Sequence, residues 1–334
     1  MKKMILALAA VAMSATVALA DGHSGLKPAL VYDLGGKNDK SFNESAFTGA
    51  ERFKSETGVE YKDFEIQNDA QREQAMRRFA RDGHNPVVAI GFSQAAALEK
   101  VAKEFPDTKF AIVDMVVEQP NVRSILFTEH EGSYLVGVMA AKASKTGKVG
   151  FVGGMDIPLI RKFACGYVQG VKSVNADAEV FQNMTGTTGA AWNDPVKGAE
   201  LAKSQFDRGA DVVYHAAGGT GIGVLQAAAD AGKLGIGVDS NQNGMHPGKV
   251  LTSMLKRVDN AVYNAFMDVK NDKWSTGFNV LNLAAGGVGY AMDDNNKSLV
   301  DADMKAAVEK AEADITSGTV KVHDFMSDNN CPAG

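Results

Sequence analysis

Motifs for redox, metal-dependent and nucleophilic chemistry are missing from this sequence of 334 residues. Its two cysteines form no C-x-x-C and its six histidines form no H-E-x-x-H, the spacings that many redox and zinc sites use. No G-x-S-x-G is present, so a serine hydrolase would lack its nucleophile elbow. We therefore predict no catalytic residue, no metal site and no cofactor, and we do not expect an enzyme.

Basic residues are too few for a nucleic-acid binder. The sequence has 35 Lys and Arg against 40 Asp and Glu, which gives a formal net charge of −5. Proteins that bind nucleic acids carry basic patches or stripes. We therefore expect no nucleic-acid partner.

A long uncharged apolar run occurs at residues 4–17, and it is shorter than the roughly 20 residues of a membrane-spanning helix. Lys2 and Lys3 precede the run, and the small-x-small sequence Ala18-Leu19-Ala20 follows it. This arrangement predicts a secretory signal peptide over residues 1–20. Because no cysteine lies at the cleavage site, we predict a periplasmic protein without a lipid anchor.

Two cysteines, Cys165 and Cys331, lie in the exported portion of the chain. A disulfide is chemically permitted in an oxidising compartment. The sequence does not report the distance between the two Cα atoms, on which a disulfide depends. The sequence therefore leaves two alternatives, a disulfide between the cysteines or two free thiols.

From residue 28 the sequence alternates short apolar runs with segments of helical period. The runs are apolar on both faces, which is typical of parallel strands covered by helices. The alternation predicts an α/β protein with doubly wound sheets. The pattern restarts near residue 132, so we predict two similar halves of about four strands each. Later segments, residues 250–256 and a strand at 277–283, are expected to complete one lobe or the other. We place one lobe at 26–127 plus about 254–285 and the other at 128–253 plus about 286–330.

Acidic residues follow apolar strands in both predicted halves, at Asp33, Asp114 and Asp239. Ligands of open α/β sheets bind at the carboxyl ends of strands. A carboxylate there can accept hydrogen bonds from sugar hydroxyls or ring N–H groups, or it can cap the following helix. Three such residues from both halves favour a polar cleft between the lobes.

The glycine-rich segment 218–223 follows a predicted strand and opens a helix. Dinucleotide-binding turns have this placement, but the third glycine of G-x-G-x-x-G is missing. We interpret the segment as a tight turn that brings backbone N–H groups to the cleft.

Four longer motifs include the acidic residues named above. Residues 32–43 read Y-D-L-G-G-K-N-D-K-S-F-N, and residues 109–114 read K-F-A-I-V-D. Residues 237–242 read G-V-D-S-N-Q, and residues 252–259 read T-S-M-L-K-R-V-D. Together these motifs resemble the basic membrane protein family, which is similar to the purine nucleoside receptors of ABC importers. The resemblance extends over about residues 28–290.

The resemblance implies a type I periplasmic-binding-protein fold, with two lobes joined by a hinge that the chain crosses several times. It implies a purine nucleoside ligand in the cleft and a membrane ABC permease as partner. The implied ligand-binding residues are Asp33, Phe42, Asn43, Asp114, Phe163, Trp192, Gly218, Asp239 and Lys256.

The resemblance also implies a role for each matching residue. Phe42 would stack on the base and Asn43 would hydrogen-bond its edge, with Asp33 and Asp114 on the same side. The sugar side would be formed by other residues, with hydroxyls held by Asp239 and Lys256 and the backbone of Gly218 against the ring.

The second stacking face has two candidates, Phe163 and Trp192. Phe163 has an alternative role as a core aromatic at the start of a helix. Trp192 stands where relatives commonly have phenylalanine, and its wider ring would change ligand choice. A free purine base or a flavin-like ligand is therefore an alternative to a nucleoside.

Two other classes of function are less favoured. A nucleoside-processing enzyme would lack a nucleophile and a metal cluster, and a signalling receptor would use the same cleft to regulate a partner. Our leading hypothesis is a monomeric solute-binding protein of an ABC importer.

Overall fold

The structure is a computed structural model that describes residues 25–333. The predicted signal peptide at residues 1–20 lies outside the described residues. Within the described part, strands and helices alternate along the chain from Ala29 to Thr316.

Within residues 25–333, the first sheet has six strands. They are β1 (Ala29–Tyr32), β2 (Lys62–Glu65), β3 (Val87–Ala89), β4 (Phe110–Val113), β5 (Val122–Phe127) and β11 (Gly277–Leu281). Their spatial order is β11-β5-β4-β3-β1-β2, and all neighbouring pairs are parallel. Strands β1, β3 and β4 are buried along their whole length, as expected for a parallel sheet covered on both faces.

The second sheet also has six strands in the part of the chain that the structure describes. They are β6 (Lys148–Met155), β7 (Glu179–Gly186), β8 (Val212–Ala216), β9 (Leu234–Asp239), β10 (Val250–Lys256) and β12 (Val288–Tyr290). Their order is β12-β10-β9-β8-β6-β7, and only the pair of β10 and β12 is antiparallel among the described strands.

Helices cover the two sheets. They are α1 (Phe42–Thr57), α2 (Ala70–Arg81), α3 (Ala95–Glu104), α4 (Glu129–Ala143), α5 (Pro158–Val174), α6 (Pro195–Asp207), α7 (Gly221–Asp230), α8 (Val258–Lys270) and α9 (Ala302–Thr316). The predicted α/β fold class is confirmed. The late segments 250–256 and 277–283, predicted to complete one lobe or the other, are β10 and β11. Together with β12, which was not predicted, they bring each sheet of the described chain to six strands.

The described chain passes between the two sheets at three places. It leaves the first sheet after β5 at Thr128, returns after β10 at Arg257, and crosses again between β11 and β12 over residues 282–287. Helix α4 packs on α5 of the second half, and α8 packs on α1 of the first. The exact lobe boundaries given above stay a prediction.

Glycines allow helices α4 and α5 to touch backbone to backbone. A Cβ atom at Gly170 of α5 would lie 2.1 Å from the carbonyl oxygen of Tyr134 on α4. A Cβ at Gly137 of α4 would lie 2.4 Å from the carbonyl oxygen of Tyr167. Interiors are packed too densely to absorb such overlaps, so any larger residue would separate the two helices.

The two cysteines form a disulfide, which decides between the alternatives left open by the sequence. Cys165 on α5 is bonded to Cys331 near the carboxyl terminus, with a Cα–Cα distance of 5.6 Å. Gln169, one turn further along α5, also holds this tail, because its side chain exchanges hydrogen bonds with the backbone of His323 at 2.8 and 3.0 Å. The tail is therefore fastened to α5 at two points.

Loss of this disulfide should lower stability. The bond joins positions separated by 166 residues, and a cross-link over a long loop restricts the unfolded chain. We expect Cys331→Ser to lower the free energy of unfolding by about 2–4 kcal/mol in urea titrations. A reductant should destabilise the wild type and leave the variant unchanged. Equal stability of the oxidised and reduced wild type would contradict this expectation.

Candidate functional site

A cavity lies between the carboxyl ends of the strands of the two sheets. It contains about 610 Å³ of atom-free space, counting its open mouth. All the predicted site residues line it: Asp33, Phe42, Asn43, Asp114, Phe163, Trp192, Gly218, Asp239 and Lys256. Their contact with a ligand stays a prediction. Other lining residues were not predicted from the sequence, among them Asp39, Phe92, Leu159 and Ile160.

The start of helix α1 is fixed by Asp39. Its carboxylate accepts the backbone N–H groups of Ser41 at 2.8 Å, Asn43 at 3.0 Å and Glu44 at 3.1 Å. These are donors that a helix start otherwise leaves unsatisfied. Burial raises the pKa of Asp39, and the three N–H groups oppose that shift. The capping carboxylate thereby places Phe42, the first residue of α1, on the cavity wall.

Asn43 is engaged with the backbone of Asp33. Its Oδ1 accepts the N–H of Asp33 at 3.0 Å, and its Nδ2 donates to the carbonyl oxygen of Asp33 at 3.5 Å. The side chain therefore holds the end of β1 in place, a role that the sequence analysis did not predict. Its predicted hydrogen bond to a base edge stays a prediction.

The carboxylate of Asp33 is oriented by three groups. It accepts the N–H of Leu34 at 2.8 Å, the hydroxyl of Ser93 at 2.8 Å and an N–H of Arg72 at 3.3 Å. Burial raises the pKa of Asp33, while these donors act in the opposite direction. Gly91 is required here, since a Cβ would lie 2.3 Å from Oδ2 of Asp33.

Lys256 joins the two sheets across the cavity. Its Nζ lies 2.6 Å from Oδ2 of Asp114, which follows β4, and 2.9 Å from Oε1 of Glu129, the first residue of α4. The centres of three aromatic rings lie 5.1–5.5 Å from the ammonium, at Phe42, Phe127 and Phe163. Oδ1 of Asp114 is buried and has no hydrogen-bond partner, which leaves an acceptor on a residue that lines the cavity.

Burial and charge shift the pKa values of this group. Burial raises the pKa of Asp114 to about 6, with Lys256 acting against it. Burial acts in the same direction on Glu129, but Lys256 and Lys162 outweigh it and lower the pKa of that carboxyl to about 2. Burial disfavours the charged form of Lys256, yet Asp114 and Glu129 raise its pKa. The ammonium therefore stays charged at neutral pH.

The loop before α1 contacts the end of β9 in the other sheet. Ser41 donates its hydroxyl to Oδ2 of Asp239 at 2.5 Å, and Ser240 donates its hydroxyl to the carbonyl oxygen of Ser41 at 2.8 Å. Gln242 donates its amide to the carbonyl oxygen of Lys40 at 2.8 Å. These residues, Lys40–Ser41 and Asp239–Gln242, form what we call the interlobe clasp.

Aromatic side chains reach the cavity from both halves. Phe42 comes from α1, Phe163 from α5, and Trp192 from the short 3₁₀ turn Gly189–Trp192. The indole of Trp192 lies against Gly154, where a Cβ would be only 2.2 Å from Cζ3 of the ring. Gly218, in a left-handed conformation with φ of 56°, lies beside the backbone of Trp192. The cavity therefore offers flat apolar surfaces beside buried carboxylates.

Comparison with known proteins identifies the family. A family model described as "ABC transporter substrate-binding protein PnrA-like", named Bmp, matches residues 27–324. The chain belongs to the Bmp family. This confirms the resemblance to the basic membrane protein family that the motifs indicated. Bmp proteins are substrate-binding proteins of ABC transporters, which bind small molecules and work with a membrane permease, and they are not an enzyme family.

Two relatives illustrate the match to the Bmp family. A protein of Lactococcus lactis named ABC transporter nucleoside-binding protein BmpA is 35% identical, over 96% of this chain and 99% of that protein. A crystal structure of an ABC transporter solute-binding protein from Aeropyrum pernix has a TM-score of 0.82 at 30% identity, and covers 90% of this chain and 93% of that one.

The predicted localisation is contradicted by the names of other Bmp relatives. Three Pyrococcus proteins, each 35% identical to this chain, are named lipoproteins. A Borreliella afzelii protein at 33% identity is named basic membrane protein A. These names point to proteins attached to a membrane by a lipid, so the prediction of a periplasmic protein without a lipid anchor was wrong. In residues 25–333, no helix has the length and apolar character needed to cross a bilayer.

Asp239 should make stability depend on pH. Burial raises the pKa of Asp239 to about 7, whereas an aspartate in an unfolded chain has a pKa of about 3.9. Between these values the folded protein keeps a proton that the unfolded chain releases, so this contribution to stability is lost as pH rises. Asp239→Asn removes this pH-dependent contribution. The free energy of unfolding of the variant minus that of wild type should therefore become more positive as the pH is raised from about 5 to about 8.

Chemical unfolding of wild type and variant at both pH values checks this expectation. The surface variant Asp107→Asn serves as control, since Asp107 is exposed. A profile for Asp239→Asn parallel to that of wild type would contradict the buried, proton-retaining state of Asp239.

Proposed function

We propose that this chain is the solute-binding component of an ABC importer and that it holds a purine nucleoside in the cavity between its sheets. One observation carries the proposal. Aromatic rings from both halves surround a cavity in which Asp114 Oδ1, a buried carboxylate oxygen, has no partner. A flat ligand with a polar edge suits this combination of rings and acceptor. The name of the Lactococcus lactis relative, a nucleoside-binding protein, supports the same class of ligand.

The base would lie among Phe42, Phe163 and Trp192. Stacking on aromatic side chains contributes about 1–3 kcal/mol per base in nucleic-acid complexes. A ring N–H or exocyclic amino group could donate to Asp114 Oδ1, because an ionised carboxylate only accepts hydrogen bonds. Such a bond would satisfy the unpartnered oxygen.

The sugar would lie near Asp239 and Lys256. Lys256 carries three N–H donors, and its ion pairs with Asp114 and Glu129 leave one for a ligand oxygen. Asp239 accepts one hydrogen bond from Ser41 and retains acceptor capacity for a hydroxyl. A ribose presents both donors and acceptors and so matches this pair.

Closure of the lobes around the ligand is part of the proposal. The three crossings of the chain would serve as the hinge, and the interlobe clasp would form as the lobes close. A ligand that touches both halves stabilises the closed arrangement, because it binds that state better. The closed form would then dock on the permease. Action as a monomer stays a prediction.

A ligand screen tests the proposal. Residues 21–334 would be heated with inosine, adenosine, guanosine, the matching free bases, flavins and sugars. Saturating ligand at 100 to 1,000 times its Kd should add about 3–4 kcal/mol of apparent stability. A shift with nucleosides supports the proposal, and a shift with free bases alone reassigns the sugar side. No shift with any purine would contradict the proposal.

Removal of the Phe42 ring should weaken binding. We expect Phe42→Ala to cost at least about 1 kcal/mol of affinity for the nucleoside that binds best, by isothermal titration calorimetry, because the stacking surface is lost. The control is Phe278→Ala, since Phe278 is 64% exposed on β11 and lies outside the cavity lining. Equal affinities of Phe42→Ala and wild type, with both folded, would place the base elsewhere.

Asp239 should distinguish nucleosides from bases. Its proposed partner is a sugar hydroxyl, so Asp239→Ala should reduce affinity for inosine about tenfold or more and affinity for hypoxanthine much less. Parallel titrations of both ligands check this. Equal losses would show that Asp239 acts on the cavity as a whole and not on the sugar.

A further inference from the structure

Glu129 is a buried charge that lies behind the cavity wall. Its side chain is only 1% exposed, and it is not among the residues that line the cavity. Nothing in the proposed binding scheme assigns it a contact with a ligand. A carboxylate so deeply buried is costly unless it is paired, so its partners indicate its role.

Both partners of Glu129 are lysines. Oε1 lies 2.9 Å from Nζ of Lys256, and Oε2 lies 2.9 Å from Nζ of Lys162. The side chains of the lysines are 1% and 8% exposed, so their mutual repulsion is poorly screened by water. Lys162 also donates to the carbonyl oxygen of Phe127 at 2.7 Å. Lys162 is thus fixed, and Glu129 is the link that draws Lys256 toward it.

The position of Glu129 in the chain is equally specific. It is the first residue of α4, directly after the crossing at Thr128. Lys256 is the last residue of β10, directly before the crossing at Arg257. The ion pair therefore joins two of the three crossings at the edge of the cavity. On the other side of the ammonium, Asp114 at the end of β4 provides the second carboxylate.

We propose that Glu129 is a positioning residue of the ligand site, which fixes the Lys256 ammonium so that its remaining N–H points to the ligand. This role rests on the proposed function. A free lysine side chain has many rotamers, and fixing one of them before the ligand arrives lowers the cost of binding. Asp114 alone would hold the ammonium from one side only, whereas Asp114 and Glu129 hold it from two.

Replacement of Glu129 by glutamine removes the charge that positions Lys256 and keeps the shape of the side chain. The two side chains have nearly the same size, but glutamine has no charge and must turn either a donor or an acceptor toward each lysine. It cannot accept from both lysines with its two terminal atoms. Lys256 should then leave its place or be held by Asp114 alone.

The test compares nucleosides with their bases by calorimetry. We expect Glu129→Gln to weaken inosine binding about tenfold or more, as for other broken buried charge pairs, and hypoxanthine binding less than about threefold. Adenosine and adenine provide a second pair. In a Lys256→Gln background, the further change Glu129→Gln should alter inosine affinity by less than about twofold, because the group that it positions is already gone.

Stability is controlled separately. Asp268→Asn breaks another ion pair, in which Arg123 Nη1 lies 2.7 Å from Asp268 and the arginine side chain is 3% exposed. It should lower stability without changing affinity. If Glu129→Gln does not fold, the pair Glu129→Gln with Lys162→Met removes both buried charges and replaces the single variant.

The outcomes are distinct. Wild type that binds no purine nucleoside and no purine base overturns the proposed function and this role with it. Wild type that binds inosine, with equal losses for nucleoside and base in Glu129→Gln, overturns the positioning role alone. The positioning role is also overturned if Glu129→Gln lowers inosine affinity as much in the Lys256→Gln background as it does in wild type.

Discussion

The cavity depends on one buried cation. Lys256 belongs to the second sheet, and the carboxylate of Asp114 that pairs with it belongs to the first. A buried ammonium without partners would be strongly unfavourable, and so would an unpaired carboxylate. The two sheets therefore stabilise each other's charges only when the ends of their strands face each other. Aromatic rings around the ammonium exclude water and strengthen the attraction.

The other polar residues of the cavity follow the same plan. Asp33 and Asp114 stand just after parallel strands, and Asp239 is the last residue of one. Each carboxylate is oriented by neighbours that leave part of it available. Asp114 and Asp239 have φ values of 71° and 63°, a conformation that aspartate tolerates better than most residues. This turn of the backbone aims both side chains off the ends of the strands and toward the space between the sheets.

Much of this arrangement could be predicted from the sequence. Most features that could not be predicted depend on contacts between residues far apart in the chain. Strands apolar on both faces predicted the parallel sheets, and the aspartates after them predicted the cavity wall. Strand β12 was missed because three residues carry no measurable period. The contact of Ser41 with Asp239 spans 198 positions, and the disulfide spans 166. Pairings over such distances are created by folding, so Glu129 and the interlobe clasp could not be found from local patterns.

The triple passage of the chain between the sheets has a mechanical consequence. If a protease cut the backbone at Thr128, the sheets would still be joined by the segments at Arg257 and at 282–287. A single nick would therefore not release either half as a separate fragment under native conditions. The three connections also limit twisting of one half relative to the other, because rotation about any one connecting segment is resisted by the other two. The molecule can bend about this junction more easily than it can be pulled apart.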